Sequence, residues 1–95
     1  MGKISVKFVG TFRWASGREQ IEVESEGGGK VRNVIETVVA EFTKLKSIIG
    51  DENSFDPRPS MVILVNDVEI GLLEGLETSL SDGDILTLIP TAHGG

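Results

Sequence analysis

Between residues 31 and 47 the chain leaves little choice of structure. At 100° per residue, Val31, Val34, Ile35, Val38, Val39, Phe42 and Leu45 all fall within an arc of about 120°. Arg32, Asn33, Glu36, Thr37, Ala40, Thr43 and Lys44 lie outside it. A single stripe of this width predicts one amphipathic helix, from Val31 to Ser47, with one face on a core. Burying those side chains is worth about 1.5–3 kcal/mol each relative to exposure. The rest of the chain must therefore supply an apolar surface broad enough to receive the stripe.

Strands on both sides of the helix can do so. From Lys3 to Phe12, Ile4, Val6 and Phe8 alternate with Lys3, Ser5 and Lys7, and Glu19 to Val23 alternates again with Ile21 and Val23 inward. With Ala15-Ser16-Gly17 between them, these runs predict a hairpin with Phe12-Arg13-Trp14 at its tip and Trp14 folded back over the sheet edge. Met61 to Val65 is apolar at every position, as in a central strand covered on both faces. Asn66-Asp67 then reads as a tight turn into Val68-Glu69-Ile70. The leucines of Gly71 to Leu76 are expected to tack a short irregular or one-turn helical segment to the core. Asp82-Gly83-Asp84 is a turn, and Ile85 to Ile89 is the last strand. A hairpin and later strands sharing one sheet, with one helix across its face, make an α+β two-layer architecture.

Several chemistries can be tested against the residues. The run Gly27-Gly28-Gly29-Lys30 precedes the helix, but a phosphate-binding loop would need Gly at position 24 and Ser or Thr at 31, where Glu24 and Val31 stand. A dinucleotide fingerprint would need Gly at 32, which is Arg32. Asp51, Glu52 and Asp56 crowd the long loop from Gly50 to Ser60 without the alternating ligands of a calcium loop, so no metal site is expected there. Phe55 is expected to plug that loop onto the core. Asp82 and Asp84 have no nucleophile or cleft nearby and read as turn residues rather than paired acid and base. The chain has no cysteine, which removes disulfides and side-chain thiol chemistry and fits a cytoplasmic setting. A net charge of −6 with nine scattered Lys and Arg argues against direct nucleic-acid binding and for a basic protein partner. No apolar run approaches a membrane span. Met1-Gly2-Lys3-Ile4-Ser5 enters strand pattern directly, with no signal peptide.

What remains is the end of the chain. Residues 1–90 read as one domain and 91–95 as a flexible tail, Thr91-Ala92-His93-Gly94-Gly95. From Pro90 to Gly95 the chain reaches about 20 Å when extended, at roughly 3.3 Å per residue. Two glycines without Cβ atoms can thread a narrow channel and take φ/ψ values closed to other residues. The strand leading to them places Leu86 and Leu88 toward the helix and Ile85, Thr87 and Ile89 outward, beside outward apolar side chains from Met61–Val65. That outer surface reads as a docking patch, with Pro90 and His93 contributing where the tail departs.

The segments Ile63-Leu64-Val65-Asn66-Asp67 and Leu80-x-Asp82-Gly83-Asp84, an apolar strand and the closing Gly94-Gly95 resemble the sulfur-carrier branch of the ubiquitin-like β-grasp proteins. That branch includes the ubiquitin-related modifier, the small subunit of molybdopterin synthase, the thiazole sulfur carrier and the archaeal small modifiers. The ending is similar to the ubiquitin-related modifier, where His precedes the glycine pair. The molybdopterin subunit tends to carry two adjacent prolines after the last strand, where this chain has Pro90-Thr91.

The resemblance implies a mixed β-grasp sheet and a role as carrier rather than enzyme. An E1-like enzyme would use Mg-ATP to adenylate the Gly95 carboxylate, and a sulfur donor would convert it to a thiocarboxylate. The sulfur would then pass toward tRNA thiolation or, through a synthase large subunit, toward molybdopterin. The same resemblance allows conjugation of Gly95 to target-protein lysines. A non-covalent ubiquitin-like binding module with an inert tail is the reading from a different class.

Overall fold

In the computed structural model, which describes residues 2–25, 29–45 and 61–91, the helix and the sheet form two layers. The strands are β1 (Gly2–Phe8), β2 (Gln20–Ser25), β3 (Met61–Val65), β4 (Val68–Glu69) and β5 (Ile85–Pro90). The helices are α1 (Thr11–Ser16) and α2 (Val31–Glu41), and two 3-10 turns, Ile70–Leu72 and Gly75–Glu77, follow β4. The sheet order is β2-β1-β5-β3-β4. β5 is therefore central, parallel to β1 and antiparallel to β3, while β1–β2 and β3–β4 are antiparallel.

The core is the one the helical stripe demanded. Val31, Val34, Ile35, Val38 and Val39 of α2 are buried, with Ile4, Val6 and Phe8 of β1, Leu86 and Leu88 of β5 and Met61, Ile63 and Val65 of β3. The helix ends sooner than its periodicity suggests. Phe42 leaves the helical region (φ −117°, ψ 97°), and its ring meets Phe8 edge-on, with centroids 5.9 Å apart. Residues 43–45 are helical again, and Leu45 is buried.

The first connection departs from the expected hairpin. β1 stops at Phe8, and residues 11–16 form α1. Gly10 enters α1 at φ 62°, and Gly17 closes it in the left-handed region. Phe12 is therefore not at a tip: it is completely buried, together with Ala15. Trp14, on the opposite side of the same helix, is 72% exposed. It does not fold back over the sheet edge, and Lys44 Nζ lies 5.1 Å from its ring centroid. A helix of six residues repeats too briefly to leave a period in the sequence, which is why the segment read as a turn.

At the far end of the sheet, Asp82 and Asp84 are structural. Asp82 Oδ1 accepts the Lys3 backbone N–H at 2.8 Å. Asp84 accepts the Ser81 N–H at 2.7 Å and the Asn66 side-chain amide at 3.0 Å. Asn66 Oδ1 in turn accepts the Ile85 N–H at 2.9 Å. Asn66 and Asp67 both have positive φ, the geometry of a two-residue primed turn between β3 and β4. The segment after β4 is held only in part as expected. Ile70 and Leu76 are buried, but Leu72 and Leu73 are exposed. Glu77 ties this segment to the start of α2, 2.9 Å from Arg32 Nε and 3.4 Å from Lys30 Nζ. These bonds, Arg32 foremost, hold its carboxyl below the usual 4.5.

The expected docking of Phe55, the calcium test on Asp51, Glu52 and Asp56, and the tail residues Ala92 to Gly95 all fall outside the described residues. Among the described residues no group of His, Asp or Glu side chains could hold a metal ion, and no helix is long and apolar enough to cross a membrane.

Candidate functional site

The sheet face away from α2 is built by alternation along β5. Leu86 and Leu88 point into the core, while Ile85 is exposed and Thr87 and Ile89 are half-buried on the other side. The register aligns the neighbours. Thr87 stands between Lys7 of β1 and Leu64 of β3, Leu64 faces Glu69 of β4, and Lys7 faces Gln20 of β2. One row thus crosses all five strands. Ile85 pairs with Ser5, and Ile89 with Val62.

An apolar strip therefore runs along the middle of the outer face, formed by Ile85, Thr87 and Ile89 with Val62 and Leu64. Ile85 and Val62 keep 36% and 37% of their surface exposed. β3 is accordingly covered on one face rather than on both: its burial alternates, with Met61, Ile63 and Val65 inward. Charged side chains border the strip on either side, Lys3 and Lys7 from β1 and Glu69 from β4. An apolar centre inside a charged rim is the pattern that protein-binding surfaces share. The segment from Gly71 to Leu76 does not cover it, because Glu77 and Thr78 fasten that segment to the helix side: Thr78 O accepts the Val31 N–H at 3.0 Å.

Three of the expected docking residues, Ile85, Thr87 and Ile89, come together on this face. Pro90 does not join them. It pairs with buried Met61, so alternation puts it on the side of Leu86 and Leu88, next to Gly10. A Cβ on Gly10 would sit 3.2 Å from the Pro90 ring. His93, Gly94 and Gly95 lie beyond the described residues. The charged rim was not picked out from the sequence, although the alternation that put Leu86 and Leu88 inward already placed Lys3, Lys7 and Glu69 outward.

A mixed sheet crossed by one helix, with a central last strand that leads directly into the Gly-Gly tail, is the β-grasp architecture of ubiquitin-like carriers and modifiers. Sequence comparison gives the branch: the model of Urm1 (Ubiquitin related modifier) matches residues 3–95, and the chain belongs to that family. Its members are ubiquitin-like sulfur carriers, modifiers or small synthase subunits, not catalysts. Small archaeal modifier protein 3 of Haloferax volcanii is 27% identical over 93 residues, spanning 98% of this chain and 99% of the relative. The structure of small archaeal modifier protein 1 from Methanosarcina acetivorans superposes with a TM-score of 0.83 at 34% identity, covering 100% of this chain and 98% of that one. A structure of the BexX/CysO complex of Amycolatopsis orientalis contains a chain that matches with a TM-score of 0.69 at 28% identity, covering 97% of this chain and 99% of that one.

Proposed function

We propose that this protein carries sulfur as a thiocarboxylate on Gly95. An E1-like enzyme docks on the Ile85–Thr87–Ile89 strip and receives the tail. The Gly95 carboxylate oxygen attacks the α-phosphorus of Mg-ATP in the partner's site, and pyrophosphate leaves. A hydrosulfide, or a persulfide later cleaved by a thiol reductant, attacks the carbonyl carbon, and AMP leaves. Carbon–oxygen is thereby exchanged for carbon–sulfur. Glycine at 94 and 95 keeps that carbon accessible, since a side chain at either position would meet the channel walls. The thiocarboxylate then delivers its sulfur to tRNA or to a molybdopterin precursor in the cytoplasm.

The observation that carries this reading is the open apolar strip on β5, the strand that continues into the tail. Incubation with an E1-like enzyme, Mg-ATP and a sulfur donor should shift the intact mass by one oxygen-to-sulfur exchange, and deletion of Gly95 should abolish the shift. No exchange with any cognate activating enzyme would overturn the proposal.

Conjugation to lysines is a second reading, favoured by the Haloferax relative's description as a modifier. With no Lys or Arg close before Gly94, His93→Lys is needed for lysyl protease to leave a Gly-Gly remnant on targets. Absence of remnant-bearing lysines in cells expressing that variant would count against conjugation.

A further inference from the structure

The edge strand β2 and the helix α2 enclose a second surface, separate from the tail and from the outer strip. Among the described residues β2 ends the sheet, with a strand partner on one side only. Its hydrogen-bond phase follows from the Phe8 N–H donating to Glu19 O at 3.0 Å. In an antiparallel pair, bonded and non-bonded positions alternate. Ile21 and Val23 therefore spend their backbone groups on β1, and Gln20, Glu22 and Glu24 turn theirs toward the open edge. Beside that edge lies a groove of about 330 Å³, lined by Ile21 and Val23 of β2, Val38 of α2 and Phe42 just beyond it, with Glu41 and Arg18 as charged neighbours.

From this geometry we infer that β2 receives an extended peptide as a sixth strand, one in which Val or Ile alternates with Lys or Arg. An incoming strand bonds to the outward groups of residues 20, 22 and 24. Its alternate side chains fall into the groove against Ile21, Val23, Val38 and Phe42. The intervening ones lie on the opposite face, level with the exposed carboxylates of Glu24 and of Glu22, the latter also 3.8 Å from Lys3 Nζ in a solvent-exposed pair. Cross-strand neighbours of opposite charge attract and like charges repel, so the carboxylates select cations at those positions. A second copy of this chain is a poor occupant, because pairing β2 with β2 sets glutamate against glutamate. The chain's own segment 51–59 is also a poor one, since it brings Asp51, Glu52 and Asp56 against one Arg58 and holds Pro57 and Pro59.

The probe is an acetylated, amidated octapeptide of alternating valine and lysine, titrated into the 15N-labelled full chain at low salt. The expected result is amide shifts confined to residues 20–24, to α2 around Val38 and to Phe42. Binding should be about tenfold weaker for the octapeptide with glutamate in place of lysine, the sum of a few exposed charge pairs. In Glu22→Lys/Glu24→Lys the preference between the two peptides should invert. Glu22→Pro removes an outward donor without touching the β1 ladder, and should abolish binding while the circular dichroism spectrum is unchanged. If it unfolds instead, the charge-inverted variant still decides. No shifts at millimolar peptide, shifts centred on Ile85, Thr87 and Ile89, or equal binding of both peptides to the native chain would each overturn the inference.

Discussion

Phe12 and Trp14 sit two residues apart on a helix of one and a half turns, and the structure assigns them opposite importance. Phe12 is completely buried, while Trp14 is 72% exposed with only Lys44 near its ring. Truncating a buried phenylalanine costs about 3–5 kcal/mol, because the lost transfer energy is joined by an unfilled cavity. The whole stability of a domain this size is about 5–15 kcal/mol, so Phe12→Ala should remain folded but marginal. With a urea m-value of about 1.5 kcal/mol per molar, the unfolding midpoint should fall by about 2–3 M. Trp14→Ala loses a cation–π contact worth about 0.5–1 kcal/mol at an exposed site, a shift of about 0.5 M. Both are read by circular dichroism, since the loss of Trp14 removes the fluorescence probe. Equal shifts for the two variants would refute the placement of α1 against the core and would restore the simple hairpin.

Three further outcomes follow from particular contacts. Gly10 and Gly83 both have positive φ (62° and 91°), but only a Cβ at Gly10 meets a neighbour, the Pro90 ring. Gly83→Ala should therefore cost about 1–2 kcal/mol of backbone strain and Gly10→Ala measurably more, with equal urea midpoints contradicting the crowding. The carboxyl of Glu77 titrates below its usual 4.5 because Arg32 and then Lys30 bond its charged form. Its contribution is complete above that usual value and disappears as pH falls through the lower folded one. Glu77→Gln should flatten the acid limb of stability against pH below about pH 5, and an unchanged acid limb would show that the ion pairs do not form in solution. On the outer face, Val62→Lys and Ile85→Lys alter side chains already more than a third exposed. The melting temperature should barely move, while transfer by the activating enzyme should fall about tenfold or more if these side chains anchor the partner; normal transfer would place docking elsewhere.

The α2 stripe and the alternation of β1 and β5 were legible because each shows a repeating pattern, whereas Met61–Val65 is apolar throughout and hid the one-sided burial of β3. The repeating patterns were enough to place Leu86 and Leu88 inside and Ile85, Thr87 and Ile89 outside. The other segments that misled have less than two periods to read. In α1, Phe12 and Ala15 are the only buried positions, a spacing of three that a loop can also show. In the segment after β4, Leu72 and Leu73 resemble Leu76 in composition, and only the 3-10 geometry decides which one faces inward. Pro90 was expected on the outer patch where the tail departs, but its pairing with buried Met61 makes it the last residue of the strand, on the side of Leu86 and Leu88. The paired aspartates needed the fold itself, since Asp82 reaches the backbone of Lys3 across most of the chain.

The position of β5 suits this scaffold to the proposed presentation of its tail to an activating enzyme. A strand at the edge of the sheet would be held by one ladder, and tension on the tail would peel it away. β5 is held by two, to β1 and to β3, and its start is fastened at the end opposite the tail by Asn66, which donates to Asp84 Oδ1 and accepts the Ile85 N–H. Its inward leucines are anchored under α2. Its outward side chains remain available to a partner, at strand spacing from the residue where the tail begins. An enzyme that grips the strip is therefore gripping the same rigid strand that delivers the carboxyl group. The distance from docking surface to Gly95 is then set by the five residues after Pro90 alone. Lengthening that stretch by two glycines should leave docking intact and slow adenylation, because the reach would change while the grip would not.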